Sequence, residues 1–155
     1  MAEDGKGIAD TVLSIVNAWG LEEILSVEFD AINYDFKFNG RQRASYGKGV
    51  RGILTSAVSL SIMKHSLTET NPHLGVVVID SPLKAYADAE STETRETPIE
   101  TVRERMYKWL SNWTGPGQIV VIENERVPDD LRTKLHVHEF SGKAPSKRRG
   151  FYPDE

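Results

Sequence analysis

The chain has 155 residues, of which 39% are apolar and 27% charged, enough apolar surface for one packed domain and too much for a disordered chain. A net charge of −4 argues against a protein that coats nucleic acid by bulk charge, and the lack of cysteine excludes disulfides, thiolate metal sites and cysteine nucleophiles. No run approaches the ~20 apolar residues of a membrane-spanning helix, and the acidic start MAEDGKGIAD has no apolar signal core. These features predict a single cytoplasmic domain over 1–155 with no membrane partner and a basic tail at about 141–155, which carries KAPSKRR.

Ile8, Val12, Ile15, Val16 and Trp19 fall on one helical face, and Gly20 follows as a stop. Leu25–Phe29 (LSVEF) and Tyr34–Phe38 (YDFKF) alternate, with turn-prone Asp30–Asn33 between them and Asn39-Gly40 after, which predicts an antiparallel hairpin. Val50, Ile53, Leu54, Ala57, Val58 and Ile62 then repeat at three and four, predicting a long amphipathic helix ending near His65–Leu67. LGVVVID, Leu74–Asp80, is a continuous β-branched run and predicts a strand covered on both faces.

Polar, aperiodic Lys84–Thr97 predicts a loop, and Thr97-Pro98-Ile99-Glu100 a capping box with proline at the first helical position. Ile99, Val102, Met106, Trp109, Leu110 and Trp113 share a helical face that Gly115-Pro116-Gly117 ends. QIVVIEN, Gln118–Asn124, predicts a second buried strand, Pro128–Arg132 a short helix and Lys134–Phe140 a last alternating strand. The order, α-ββ-α-β-α-β-(α)-β, is that of an α/β fold with a layered sheet, helices packed on it, and an N-terminal helix and hairpin. Ligands of open α/β sheets sit beyond the carboxyl ends of the strands.

Three features carry chemistry. Ser45, Gly47 and Gly49 precede the long helix, where backbone N–H groups and the helix N-terminus attract an anion, and Lys48 and Arg51 add charge. The loop is not a Walker A, since G-x-x-x-x-G-K-[ST] needs glycine where Gln42 stands and a hydroxyl where Gly49 stands. Asp80, followed by Ser81 and Pro82, ends the first apolar strand as a Walker B aspartate does to hold Mg²⁺, or else as a cap of the next turn. Glu123 and Asn124 end the second strand; if the strands are neighbours, Asp80 and Glu123 converge at one edge, where paired acids suit a metal or an activated water.

In this order, SYGKGVRGILTSA, GVVVIDSPL and QIVVIEN resemble the signature loop, the Walker B strand with its D-loop, and the strand leading to the switch position of SMC/RecF-type ATPases of the ABC class. HEFSG…RRGFYP is similar to the tail of bacterial coiled-coil members, and the likeness runs from about Trp19 onward. The resemblance implies the C-terminal lobe of a P-loop ATPase head. In that family the signature loop caps the γ-phosphate of ATP held by the opposing head, so Ser45, Gly47 and Gly49 would meet the trans phosphate beside Lys48 and Arg51. Asp80 would hold Mg²⁺ on the cis nucleotide, and Pro82 and Leu83 would lie in the D-loop at the dimer contact. The implied partners are an N-terminal Walker A half on the same or a separate polypeptide, a second head and DNA. The implied work is DNA repair, chromosome maintenance or defence against foreign DNA.

The sequence departs from that pattern in three places. Ser81 stands where most heads carry the glutamate that positions water, Glu123-Asn124 replaces the switch histidine, and no Walker A is present. Glu123 or Ser81 is then the candidate for orienting water, and the chain is expected to be half of an active unit: a fragment, a split gene product or an excised domain. A head-like binding module without turnover is the main alternative. Asp88-Ala89-Glu90 loosely resembles the D-x-D of Toprim nucleases, although it falls in the expected loop, and His136 and His138 share a strand face but are too few for a zinc site.

Overall fold

The computed structural model describes residues 2–90, 98–124 and 126–140. Helix α1, Ala2–Ala18, buries Ala9, Val12, Ile15 and Val16, and the chain then turns through Trp19, Leu21 and Ile24, all fully buried. Strands β1 (Val27–Asp30), β2 (Asp35–Phe38) and β3 (Arg41–Gln42) form an antiparallel sheet in that order. Phe29 faces Phe36 across it with ring centroids 5.4 Å apart, so the predicted hairpin is present and gains a third strand through Asn39-Gly40. Both of those residues have positive φ, as a two-residue turn matching the strand twist requires.

Helix α2, Lys48–Thr68, crosses the core and buries Ile53, Leu54, Ala57, Leu60 and Met63. Ile62, expected on that face, is exposed, because the buried stripe runs through residues 53, 57, 60 and 63. Strand β4 (Val76–Asp80), helix α3 (Pro82–Glu90), helix α4 (Ile99–Ser111) and strand β5 (Gln118–Ile122) complete the regular structure. β4 and β5 pair in parallel, with Val76 opposite Gln118 and Asp80 opposite Ile122. Their entry is tight: Gln118 N–H donates to Gly75 O at 2.7 Å, and a Cβ on Gly117 (φ +84°) would stand 2.8 Å from Met63 Sδ.

The chain is thus a mixed α/β fold, and its described residues form helices and two small sheets rather than one layered sheet. β4 was expected to be covered on both faces, but only Val77 and Ile79 point into the core. Val78 is 57% and Ile122 55% exposed, with Val76 and Val120 on the same bare face. A parallel pair covered on one side only is unusual, since parallel strands normally lie between two layers.

Other expectations are corrected. The first part of Lys84–Thr97 is helical: proline starts α3, and Leu83 and Tyr86, three apart, are both buried, which supplies an apolar anchor that the polar composition concealed. Residues 91–97 lie outside the described residues, and Thr97 of the expected capping box with them. Pro98 is the N-cap of α4, one residue after the expected cap Thr97, and makes no side-chain cap bond. Pro128–Arg132 is not a helix; a 3₁₀ turn at Arg132–Lys134 follows instead. Lys134–Phe140 alternates between half-buried and exposed side chains, yet pairs with no strand among the described residues apart from a single bridge at Phe140. Leu135 packs against the body, and the half-buried positions alternate without a ladder. The basic tail is outside the described residues.

One polar group was read from the sequence only as a turn residue. Asp30 is buried and accepts hydrogen bonds from the Asn33 side chain at 2.8 Å, Gln42 Nε2 at 2.9 Å and Ile32 N–H at 3.0 Å, and pairs with Lys37 Nζ at 3.0 Å. Asn33 first, then Lys37, Gln42 and Ile32, hold its carboxyl far below the usual range against the opposing effect of burial. A depressed native pKa makes the unfolded chain the better proton binder in acid. The stabilisation is therefore present above the unfolded pKa of about 4 and fades as pH falls below it. Asp30→Asn should lower the melting temperature near neutrality, and the gap to the parent should narrow as pH drops toward about 3. A gap that stays constant in thermal melts across that range would remove Asp30 from the acid response.

Candidate functional site

The parallel register brings the two strand-end acids to one edge. Asp80 ends β4, Glu123 directly follows β5, and Ser81 N–H donates to Ile122 O at 2.8 Å, carrying the ladder one residue further. Asp80 is exposed; its Oδ1 accepts from Ser81 Oγ at 2.9 Å, and its other oxygen has no partner among the described residues. Ser81 has φ +45°, a left-handed conformation that costs a non-glycine residue of order 1 kcal/mol. That bend turns the chain at once from β4 into α3.

Glu123 is placed differently. Its Oε1 accepts the Leu83 N–H at 2.7 Å and its Oε2 accepts its neighbour Asn124 N–H at 3.0 Å. Leu83 is the second residue of α3, so Glu123 acts as a helix cap supplied by the adjacent strand, where the positive end of the helix favours a carboxylate. Pro82 and Leu83 were expected at a dimer contact. Both are buried, and the N–H that Leu83 turns toward the edge is already taken by Glu123.

The glycine loop forms a separate element. A 3₁₀ turn at Arg43–Ser45 is latched by Arg43, which grips Asp35 with two bonds of 3.1 Å and donates to Thr55 Oγ1 at 2.6 Å. Ser45 is exposed, but its Oγ turns back to donate to Gln42 O at 2.7 Å. Gly47 is the N-cap of α2 and Gly49 lies buried in its first turn. Neither has positive φ, so backbone twist does not require glycine at either position. No side chain caps α2 and no acid lies in its first turn. The first intrahelical bond runs from Arg51 N–H to Gly47 O, so the N–H groups of Lys48, Gly49 and Val50 precede the helical ladder. Lys48 and Arg51 are exposed, without an ion pair among the described residues, and no hydrogen bond or ion pair joins this loop to Asp80 or Glu123.

Asp88 and Glu90 lie on helix α3 rather than in a loop, and His136 and His138 are exposed. Among the described residues no group of three histidines or acids is placed to hold a metal by itself. No helix among the described residues is long and apolar enough to cross a membrane. Sequence reasoning placed both strand ends but missed the Glu123 cap, because the bond spans 40 residues and depends on a helix it did not expect. Compared with known proteins, the chain matches no protein-family model, no curated protein and no solved structure.

Removing the cap frees two backbone N–H groups, so Glu123→Ala should destabilise the isolated chain by about 1–2 kcal/mol. Asp80→Ala, at an exposed strand end, should stay within about 1 kcal/mol. Urea unfolding of the two variants decides, and equal, negligible effects would show that the Glu123 bonds carry no stability.

Proposed function

We propose that the chain is the C-terminal lobe of an SMC/RecF-like ATPase head, contributing signature loop, Walker B aspartate and D-loop segment to ATP sites completed by a Walker A half. The observation that carries this reading is the β4–β5 pair: parallel, bare on one apolar face, with an exposed aspartate at its carboxyl edge. Such a pair is what remains of a larger parallel sheet when the neighbouring layer belongs to another lobe. The uncapped N-terminus of α2 with Lys48 and Arg51 supports a second, separate phosphate contact, as expected if loop and aspartate serve different nucleotides across a head–head dimer. DNA repair, chromosome maintenance and defence against foreign DNA are the settings that this reading offers.

In the assembled head the exposed Asp80 oxygen would face Mg²⁺, which neutralises charge on the β- and γ-phosphates. The Ser81 hydroxyl donates a hydrogen bond to Asp80, which orients that carboxylate. An attacking water would need a carboxylate acceptor, and Glu123 provides one only by loosening from Leu83 N–H or by sharing an oxygen with it.

A second reading, a head-like module that binds without turnover, is favoured by one observation: both Glu123 oxygens are engaged by backbone N–H groups and Ser81 occupies the position beside Asp80. Reconstitution separates the two. Alone, the chain should bind Mg-ATP weakly in calorimetry. With an SMC/RecF-type Walker A half it should hydrolyse ATP, Asp80→Ala should abolish turnover, and Glu123→Gln should slow it by about 10²-fold while prolonging dimerisation. Ser81→Ala should cost much less. Tight Mg-ATP binding by the chain alone that Asp80→Ala abolishes contradicts the half-site, and assembly without turnover selects the non-catalytic module.

A further inference from the structure

A cleft of about 650 Å³ opens where the C-terminal ends of α1, α2 and α4 meet. It lies at the opposite end of the parallel pair from Asp80, because the segment after α4 that lines it leads into the start of β5. One wall is aromatic: Trp109 and Trp113 lie 5.2 Å apart between ring centroids, and fully buried Trp19 meets Trp109 edge-on at 5.7 Å, bracing it from behind. The rim is basic. Lys64, Arg105 and Lys108 line the cleft, and among the described residues no carboxylate does. Arg105 is drawn to Glu22 at 2.6 Å, but neither Lys64 nor Lys108 has an ion pair among the described residues. This concentration of positive charge stands out on a chain of net charge −4.

The lysines are not needed as helix caps. The last carbonyls of α4 are met by the N–H groups of Asn112 and Trp113 and by the side chains of Ser111 and Asn112. Two polar atoms of the lining are buried without a hydrogen-bond partner among the described residues: the acceptor Asn17 Oδ1 and the donor Trp113 Nε1–H. Each is shielded from solvent in the open cleft, so a ligand there would reach either one only after a shift of its side chain. The indole is also held in place from outside, because a Cβ on Gly115 would stand 2.5 Å from the Trp113 ring.

We propose that this cleft binds a nucleoside phosphate, its base against the Trp109–Trp113 wall and its phosphate on Lys64 and Lys108. A base supplies a flat π-face for the indoles, and a phosphate supplies the anion that the unpaired lysines attract. The volume suits one nucleotide. The same chemistry comes from a free mononucleotide or from one residue of a single strand.

The test is a titration of the full chain with adenosine 5′-monophosphate in EDTA, read by tryptophan fluorescence, since all three tryptophans belong to this cluster. EDTA and Asp80→Ala separate this site from the proposed ATPase edge, and Asp80→Ala should leave the titration unchanged. The nucleotide should quench saturably, about tenfold more tightly than either adenosine or inorganic phosphate alone. The double variant Lys64→Glu/Lys108→Glu, with far-UV circular dichroism unchanged, should weaken binding by about tenfold or more. Gly115→Ala, which displaces the Trp113 ring, should weaken it independently. A short oligodeoxyadenylate that binds tighter than the mononucleotide identifies a strand as the source, and one that binds no tighter identifies the free nucleotide; either result upholds the site. Quenching that never saturates, phosphate or adenosine binding as tightly as the nucleotide, or a charge-reversed variant that titrates like the parent would overturn it.

Discussion

Two parallel strands cannot stand alone, and the structure depends on how this pair is held. The β4–β5 ladder is five residues long on each strand, and only Val77 and Ile79 of β4 reach the core. At its entry Gln118 is tied to Gly75; at its exit Ser81 N–H reaches Ile122 O and Leu83 N–H reaches Glu123. These bonds close both ends of a pair that packing holds from one side. They also force the chain to bend at Ser81, which leaves Asp80 exposed at the lip of the bend. The same geometry that stabilises the pair therefore presents a carboxylate to solvent beside a helix N-terminus.

The polar groups of the molecule divide by how well they are satisfied. Asp30 is satisfied within the antiparallel sheet and its turn, and Arg43, paired with Asp35, ties that sheet to α2 through Thr55. The N-terminus of α2 and one oxygen of Asp80 are left open, and both are oriented by rigid elements rather than by mobile loops. Openness at such positions is costly in a finished core and acceptable where another surface arrives. Glu123 lies between these classes: bonded, but to N–H groups that a rearrangement at the edge could release.

Much of this was legible in the residues. The helical faces of α1 and α4, the hairpin and the two apolar strands followed from periodicity, and their adjacency was the condition on which the Asp80–Glu123 edge rested. What was not legible depended on tertiary partners. An apolar run such as VVVID reads the same whether one face or both are covered, because β-branched residues suit either case. Helix α3 hides in polar composition, since two anchors, Leu83 and Tyr86, are too few to set a period. The saturation of Asp30 required Gln42, 12 residues away, to return through the turn at Asn39-Gly40. The Trp109–Trp113 wall was seen as one helical face, but not the lysine that α2 brings beside it.

The central claim is that the carboxyl edge of β4 and β5 is a half-site for Mg²⁺ and nucleotide that another lobe completes. Mn²⁺ replaces Mg²⁺ at oxygen sites and broadens nearby amide resonances. With ATP and an SMC/RecF-type Walker A half present, Mn²⁺ should broaden the amides of Asp80–Leu83 and Glu123–Asn124, and omitting either ATP or the half should leave them sharp. Broadening that is absent from Asp80 in the full mixture, or that appears in the chain alone, would contradict the account.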